Sequence, residues 1–132
     1  MKKLFTFYIF ILSVSLFSDE PYVYIIEPKD GSEVINPVRV VFGLSGMGVA
    51  PAGVDKSGTG HHHLLIDVKQ LPDLTKSIPT DKNHLHFGGG QTETTLNLKP
   101  GNHDLQLLLG NWFHVPHSSP LISKKITIKV KE

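Results

Sequence analysis

An all-β fold, an immunoglobulin-like β-sandwich of about seven strands, follows from three features of the sequence. Apolar residues alternate with polar ones or run in short blocks. Turn residues separate those blocks, and no window carries a 3.6-residue apolar period long enough for a helix. A small β-barrel is the alternative closure for the same strands.

Residues 22–27 (YVYIIE) form the first predicted strand. Pro28-Lys29-Asp30-Gly31 turns the chain, with proline presetting φ and glycine permitting φ > 0. Asn36-Pro37 opens the second strand, 38–44 (VRVVFGL). The third covers 62–68, and a short fourth covers 84–87. Residues 92–98 (TETTLNL) alternate, and Lys99-Pro100-Gly101-Asn102 closes them. Residues 103–109 (HDLQLLL) follow. Residues 122–130 (ISKKITIKV) end the chain, with Ile122, Ile126, Ile128 and Val130 on one face. Two long loops, 45–60 and 69–83, each lead into histidines; long loops in a small domain usually carry function.

Residues 1–18 have the shape of a secretory signal peptide: Lys2 and Lys3, then an apolar run from Leu4 to Phe17, then Ser18-Asp19-Glu20. Cleavage is expected after Ser18, with Ser15 and an uncleaved anchor as alternatives. Residues 19–132 then make one domain, in the periplasm or secreted. Of 13 basic and 12 acidic residues, the segment removes Lys2 and Lys3, so 11 face 12 in the mature chain. The charges are scattered. This argues against a nucleic-acid partner and against an electrostatic membrane anchor after cleavage. With no cysteine there is neither disulfide nor thiolate chemistry.

The eight histidines all fall between residues 61 and 117. In GTGHHHLLIDV, His62 shares strand parity with Leu64 and Ile66, whereas His61 and His63 project from the other face. Two residues apart on a strand, their Cα atoms lie about 6.6 Å from each other, close enough for both rings to reach one ion. His84-Leu85-His86 repeats the pattern. The expected metal ligands are therefore His61, His63, His84 and His86, assisted by His114 or His117 from His114-Val115-Pro116-His117. His62 and His103 are weaker candidates. His103 belongs at the rim of the core, where it can donate to a backbone carbonyl. An all-nitrogen donor set suits copper or zinc among the expected ions. Asp67, Asp81, Glu93 and Asp104 are available to orient imidazoles. Gly88-Gly89-Gly90 reads as an irregular turn rather than a phosphate cradle, because the lysine and helix of a P-loop are missing. No nucleophile elbow or carboxylate pair stands out. The other classes left open are a small-molecule- or protein-binding module of the cell envelope and a metalloenzyme of redox type.

Three stretches carry a resemblance: FGLSGMGVAPAGVDKSGTGHHHLLIDV, HLHFGGGQTETTLNLKPGNHDLQLLLGNWFHVPH and ISKKITIKV. Through them the chain resembles the bacterial family catalogued as domain of unknown function 4399, whose members are small and mostly exported. The resemblance implies that His61 to His63, His84, His86, His103, His114 and His117 are hallmark positions. Where members often carry an acidic residue or histidine before HVPH, this chain has Asn111-Trp112-Phe113, so no ligand is implied there. Copper-zinc superoxide dismutases also display His-x-His on a β-sandwich. This chain lacks their cysteines and their ligand order, so that likeness is one of geometry alone.

Overall fold

The computed structural model describes residues 19–132; the expected signal peptide lies outside the described residues. Nine strands form two sheets, and the described residues contain no helix. The strands are β1 (Tyr22–Glu27), β2 (Glu33–Val34), β3 (Val38–Ser45), β4 (Gly48–Val49), β5 (Thr59–Ile66), β6 (His84–His86), β7 (Glu93–Leu96), β8 (Gly101–Gly110) and β9 (Ile126–Val130). The first sheet runs β1-β3-β7 and the second β2-β9-β8-β5-β4, with β6 also paired to β5. This is the sandwich expected, and its order matches the A-B-E and G-F-C sheets of immunoglobulin-like domains. The sheets do not close into a barrel. The two strands beyond the expected seven are β2 and β4, two residues each. Runs that short carry no alternation to read. The last strand is shorter than expected, starting at Ile126, with Ile122 reduced to an isolated bridge to Leu108.

The core lies between the sheets. Val38, Val40 and Phe42 of β3 face Leu64 and Ile66 of β5, Leu105, Leu107 and Leu109 of β8, and Ile126, Ile128 and Val130 of β9. Strand parity dictates these faces: every second residue is inward. Had β5 been covered on one side only, its odd positions would be wet. They are not, because the 69–83 loop lays Ile78 over the outer face. Leu65, Leu108 and Ile78 make a second small core there, and the Ile78 amide donates to the His114 carbonyl at 2.8 Å. So β5 is buried on both faces from Gly60 to Ile66.

The 45–60 loop is likewise tied down. Gly48–Val49 pairs in parallel with Thr59–Gly60. Beyond it the Ala52 amide donates to the Gly88 carbonyl at 2.8 Å and the Gly53 amide to the Trp112 carbonyl at 2.9 Å. Residues 50–54 therefore form a strap that joins the turn after β6 to the turn after β8.

Candidate metal centre

The pairings β5–β6 and β5–β8 set the positions of three histidines. His63 lies opposite His86 on one side and opposite Leu108 on the other, and His61 lies opposite Gly110. His61, His63 and His86 thus share the outer face of the second sheet. The fourth ring comes from the turn after β8. There the Asn111 carboxamide oxygen accepts from the Phe113 and Val115 amides at 2.9 and 3.0 Å, folding residues 111–115 back on themselves. That turn holds His114 at φ 63°. This left-handed conformation costs a residue with a Cβ about 1–2 kcal/mol, and such strain concentrates at functional sites.

The result is a cluster of four imidazoles. One ring nitrogen from each of His61, His63, His86 and His114 lies within 4.8 Å of all the others. Nε2 of His61 is 3.2 Å from Nε2 of His86 and 3.2 Å from Nδ1 of His114. Ligand nitrogens around a four-coordinate ion, with bonds of about 2.0–2.1 Å, stand about 3.3 Å apart. The chemistry of the donors points the same way. His63 is fully buried, and neither of its ring nitrogens has a hydrogen-bond partner; Nδ1 of His61 is also buried and unpartnered. A buried polar group left unpaired costs about 1–3 kcal/mol. An ion between the rings would take up a lone pair from each. His61, His63, His86 and His114 therefore fit a transition metal, and the cluster could hold one.

The rings are also kept neutral. Burial, reinforced by His86 and His114, pushes the pKa of His61 down to about 4. Burial, reinforced by His61, His86 and His114, pushes that of His63 to about 3. His86 is lowered by burial and by His114. Neutral imidazole is the form that ligates. In the metal-free protein this has a cost in acid. Below pH about 6.5 the unfolded chain's histidines take up protons, whereas folded His61, His62 and His63 stay neutral to about 4, 4 and 3. The unfolded state then binds more protons, so stability falls as pH falls. In chelator, the urea midpoint should decline steadily as pH falls through the lower range, from 6.5 to 4. A level midpoint across the lower range would contradict the burial of these rings.

The structure places the other histidines apart from the cluster. His84 shares the outer face with His86 but stands opposite Leu65, and its Nδ1 turns to the Asp81 carboxylate at 2.9 Å. His117 bonds the Thr59 carbonyl through Nε2 at 3.0 Å. His62 faces the core, 5.1 Å from Phe42 between ring centroids. Burial lowers its pKa to about 4. His103 sits at the end of the core face, between the Asp67 carboxylate and the Lys99 carbonyl, each at 2.7 Å. Burial opposes its charge, but these two partners outweigh burial and raise its pKa. The four acids considered for orienting ligands serve elsewhere. Asp67 and Asp81 hold His103 and His84, Glu93 pairs with Arg39, and Asp104 accepts from the Thr127 hydroxyl. Trp112 and Phe113 pack against each other at a tilt, with ring centroids 5.2 Å apart, and are exposed.

Sequence reasoning missed the residues that make room. A Cβ at Gly110 would stand 2.7 Å from Cε1 of His63 and 3.4 Å from the His114 Cα, and one at Gly88 would collide with the His86 ring. The signal was present: a glycine ending an apolar strand, and another two residues after His86, both mark close approach. Gly110→Ala should therefore displace the His63 ring and weaken metal binding by about 10–100-fold. The far-UV circular dichroism should remain that of the parent. Unchanged affinity in a competition titration would remove Gly110 from the site.

Fold and cluster together define a β-sandwich protein with an all-imidazole group able to hold a metal ion. The chain belongs to the family described as Domain of unknown function (DUF4399), whose model matches residues 40–131. The matched segment contains all eight histidines. No curated protein and no solved structure matches the chain.

Proposed function

We propose that this is an exported protein of the cell envelope that binds one transition-metal ion, copper or zinc, through His61, His63, His86 and His114. The observation that carries the reading is His63: a fully buried imidazole with both nitrogens unpartnered, facing three more imidazoles. Hydrogen bonds among the histidines account for Nε2 of His61, Nε2 of His86 and Nδ1 of His114; they leave His63 unexplained. Four nitrogen donors without sulfur or carboxylate favour Cu²⁺ in raw affinity and suit Zn²⁺ equally in geometry. Residues 1–18 support export, by their basic start and short apolar run.

The test is the metal content of untagged protein by mass spectrometry, with copper and zinc titrations of the chelated form. One equivalent of tightly bound ion is expected. Absence of bound metal together with only weak titration refutes the reading.

A further inference from the structure

His103, outside the cluster, has an acceptor at each ring nitrogen. Its Nδ1 lies 2.7 Å from Oδ2 of Asp67, and its Nε2 lies 2.7 Å from the Lys99 carbonyl oxygen. A neutral imidazole carries one N–H and one lone pair. It can donate to one of these oxygens and must turn its lone pair on the other. Both contacts are made only by a ring that donates from both nitrogens, the imidazolium, and their length is that of bonds from a charged donor. Burial disfavours this charge; the Asp67 carboxylate, the Lys99 carbonyl and the charge of Asp104 outweigh it and raise the pKa of the ring. The neighbouring cations are turned elsewhere. Lys99 is exposed, Lys125 donates to the Val68 carbonyl at 3.1 Å, and Lys129 of β9 faces Glu33 at 3.6 Å.

Asp67 is where the chain leaves β5. It takes φ 56°, a left-handed conformation that a residue with a Cβ adopts only when its surroundings impose it. Three hydrogen bonds do so. The Asp67 amide donates to the Asp104 carbonyl at 2.9 Å, its Oδ1 accepts from the Asp104 amide at 2.9 Å, and its Oδ2 accepts from His103. Just beyond it begins the 69–83 loop, which lays Ile78 on Leu65 and Leu108 over the outer face of β5. The loop also reaches the turn that holds His114. The Ile78 amide donates to the His114 carbonyl at 2.8 Å, and the Ser77 hydroxyl to the Phe113 carbonyl at 3.3 Å. The cover over the histidine cluster therefore starts from a strained residue fastened by His103.

We propose that His103 is a proton-operated latch: as an imidazolium it holds Asp67 in its left-handed turn and fixes the root of the covering loop, and losing its proton frees that root. Deprotonation leaves one N–H for two acceptors, so the hold on Asp67 or on Lys99 is lost. A histidine that keeps its proton more tightly when latched contributes fully below its free pKa of about 6.5 and loses that contribution as pH rises through the raised value. Between the two values, opening of the root grows by about tenfold per pH unit. His61, His62 and His63 act in the opposite sense, costing stability in acid. The loop is thus fastened in mild acid and loosened in mild alkali, whether or not the cluster holds an ion.

The experiment is done in chelator, so its outcome is separate from that of the metal titrations. Nuclear magnetic resonance follows the His103 ring from pH 6 to 9. Hydrogen exchange, corrected for its own base dependence, follows the Asp67, Asp104 and Ile78 amides. His103 should titrate above 6.5 and carry protons on both nitrogens below that point. Opening at the three amides should grow by about tenfold for each unit by which its pKa exceeds 6.5, then level off. In Asp67→Asn, whose asparagine tolerates the left-handed backbone, His103 should titrate at or below 6.5. In His103→Gln, which cannot titrate, the pH dependence of exchange should vanish. Titration of the parent's His103 at or below 6.5 would overturn the proposal. So would a raised pKa with exchange at Asp67 and Ile78 that does not follow it. Both results are read on the parent protein and need no variant to fold.

Discussion

His63→Leu should abolish tight metal binding and leave the metal-free protein as stable as the parent or more so. His63 is fully buried, neutral, and central to the cluster. Losing one of four ligands should weaken binding by more than the roughly 10–100-fold typical of losing an orienting partner. The apo protein has the opposite interest. It buries two ring nitrogens that nothing satisfies, and exchanging them for an apolar side chain of similar size removes a cost of about 1–3 kcal/mol. Competition titration and urea unfolding in chelator measure the two effects. His103→Leu is the contrast: His103 bonds Asp67 and Lys99 outside the cluster, so metal affinity should hold while stability drops. If His63→Leu kept full affinity, the cluster would not be the site.

The second large effect expected is stabilisation of the fold by an ion held in the cluster. A ligand present at a thousand times its dissociation constant adds about 4 kcal/mol to a protein that binds it only when folded. For a domain of this size that amounts to roughly 15–20 °C in Tm. Calorimetry with and without metal should show the rise in the parent and none in His63→Leu. An equal rise in both would place the ion elsewhere.

The sandwich was legible because its strands alternate against a single core. VRVVFGL and ITIKV show their inward residues directly, and His62 reads as a core residue by the same parity. The pairing of His61 with His63 on one face was legible for that reason too, as was the place of His86 beside them. The partner of His86 was not legible: parity puts His84 on the same face, but only the β5–β6 register shows that it stands opposite Leu65 rather than His63. Register depends on contacts between strands distant in sequence, which alternation does not encode. That His114 rather than His117 joins the cluster was hidden in the same way. It depends on the turn that Asn111 folds, at the very segment where the family resemblance implied no ligand. The burial of His61 and His63 was unreadable as well, since loops 45–60 and 69–83 show no periodicity that would place them over the sheet.

Asn111's turn and the two flanking strands bring together rings that are far apart along the chain: His61 lies 25 residues from His86 and 53 from His114. An ion bound to all of them would tie the chain into two successive closed loops. That is the topology of a disulfide-stapled domain, built in a chain that contains no cysteine. Cross-links of such span restrict the unfolded chain more than short ones do. Unlike a sulfur bridge, this one needs no oxidant to form and is undone by acid or by a chelator.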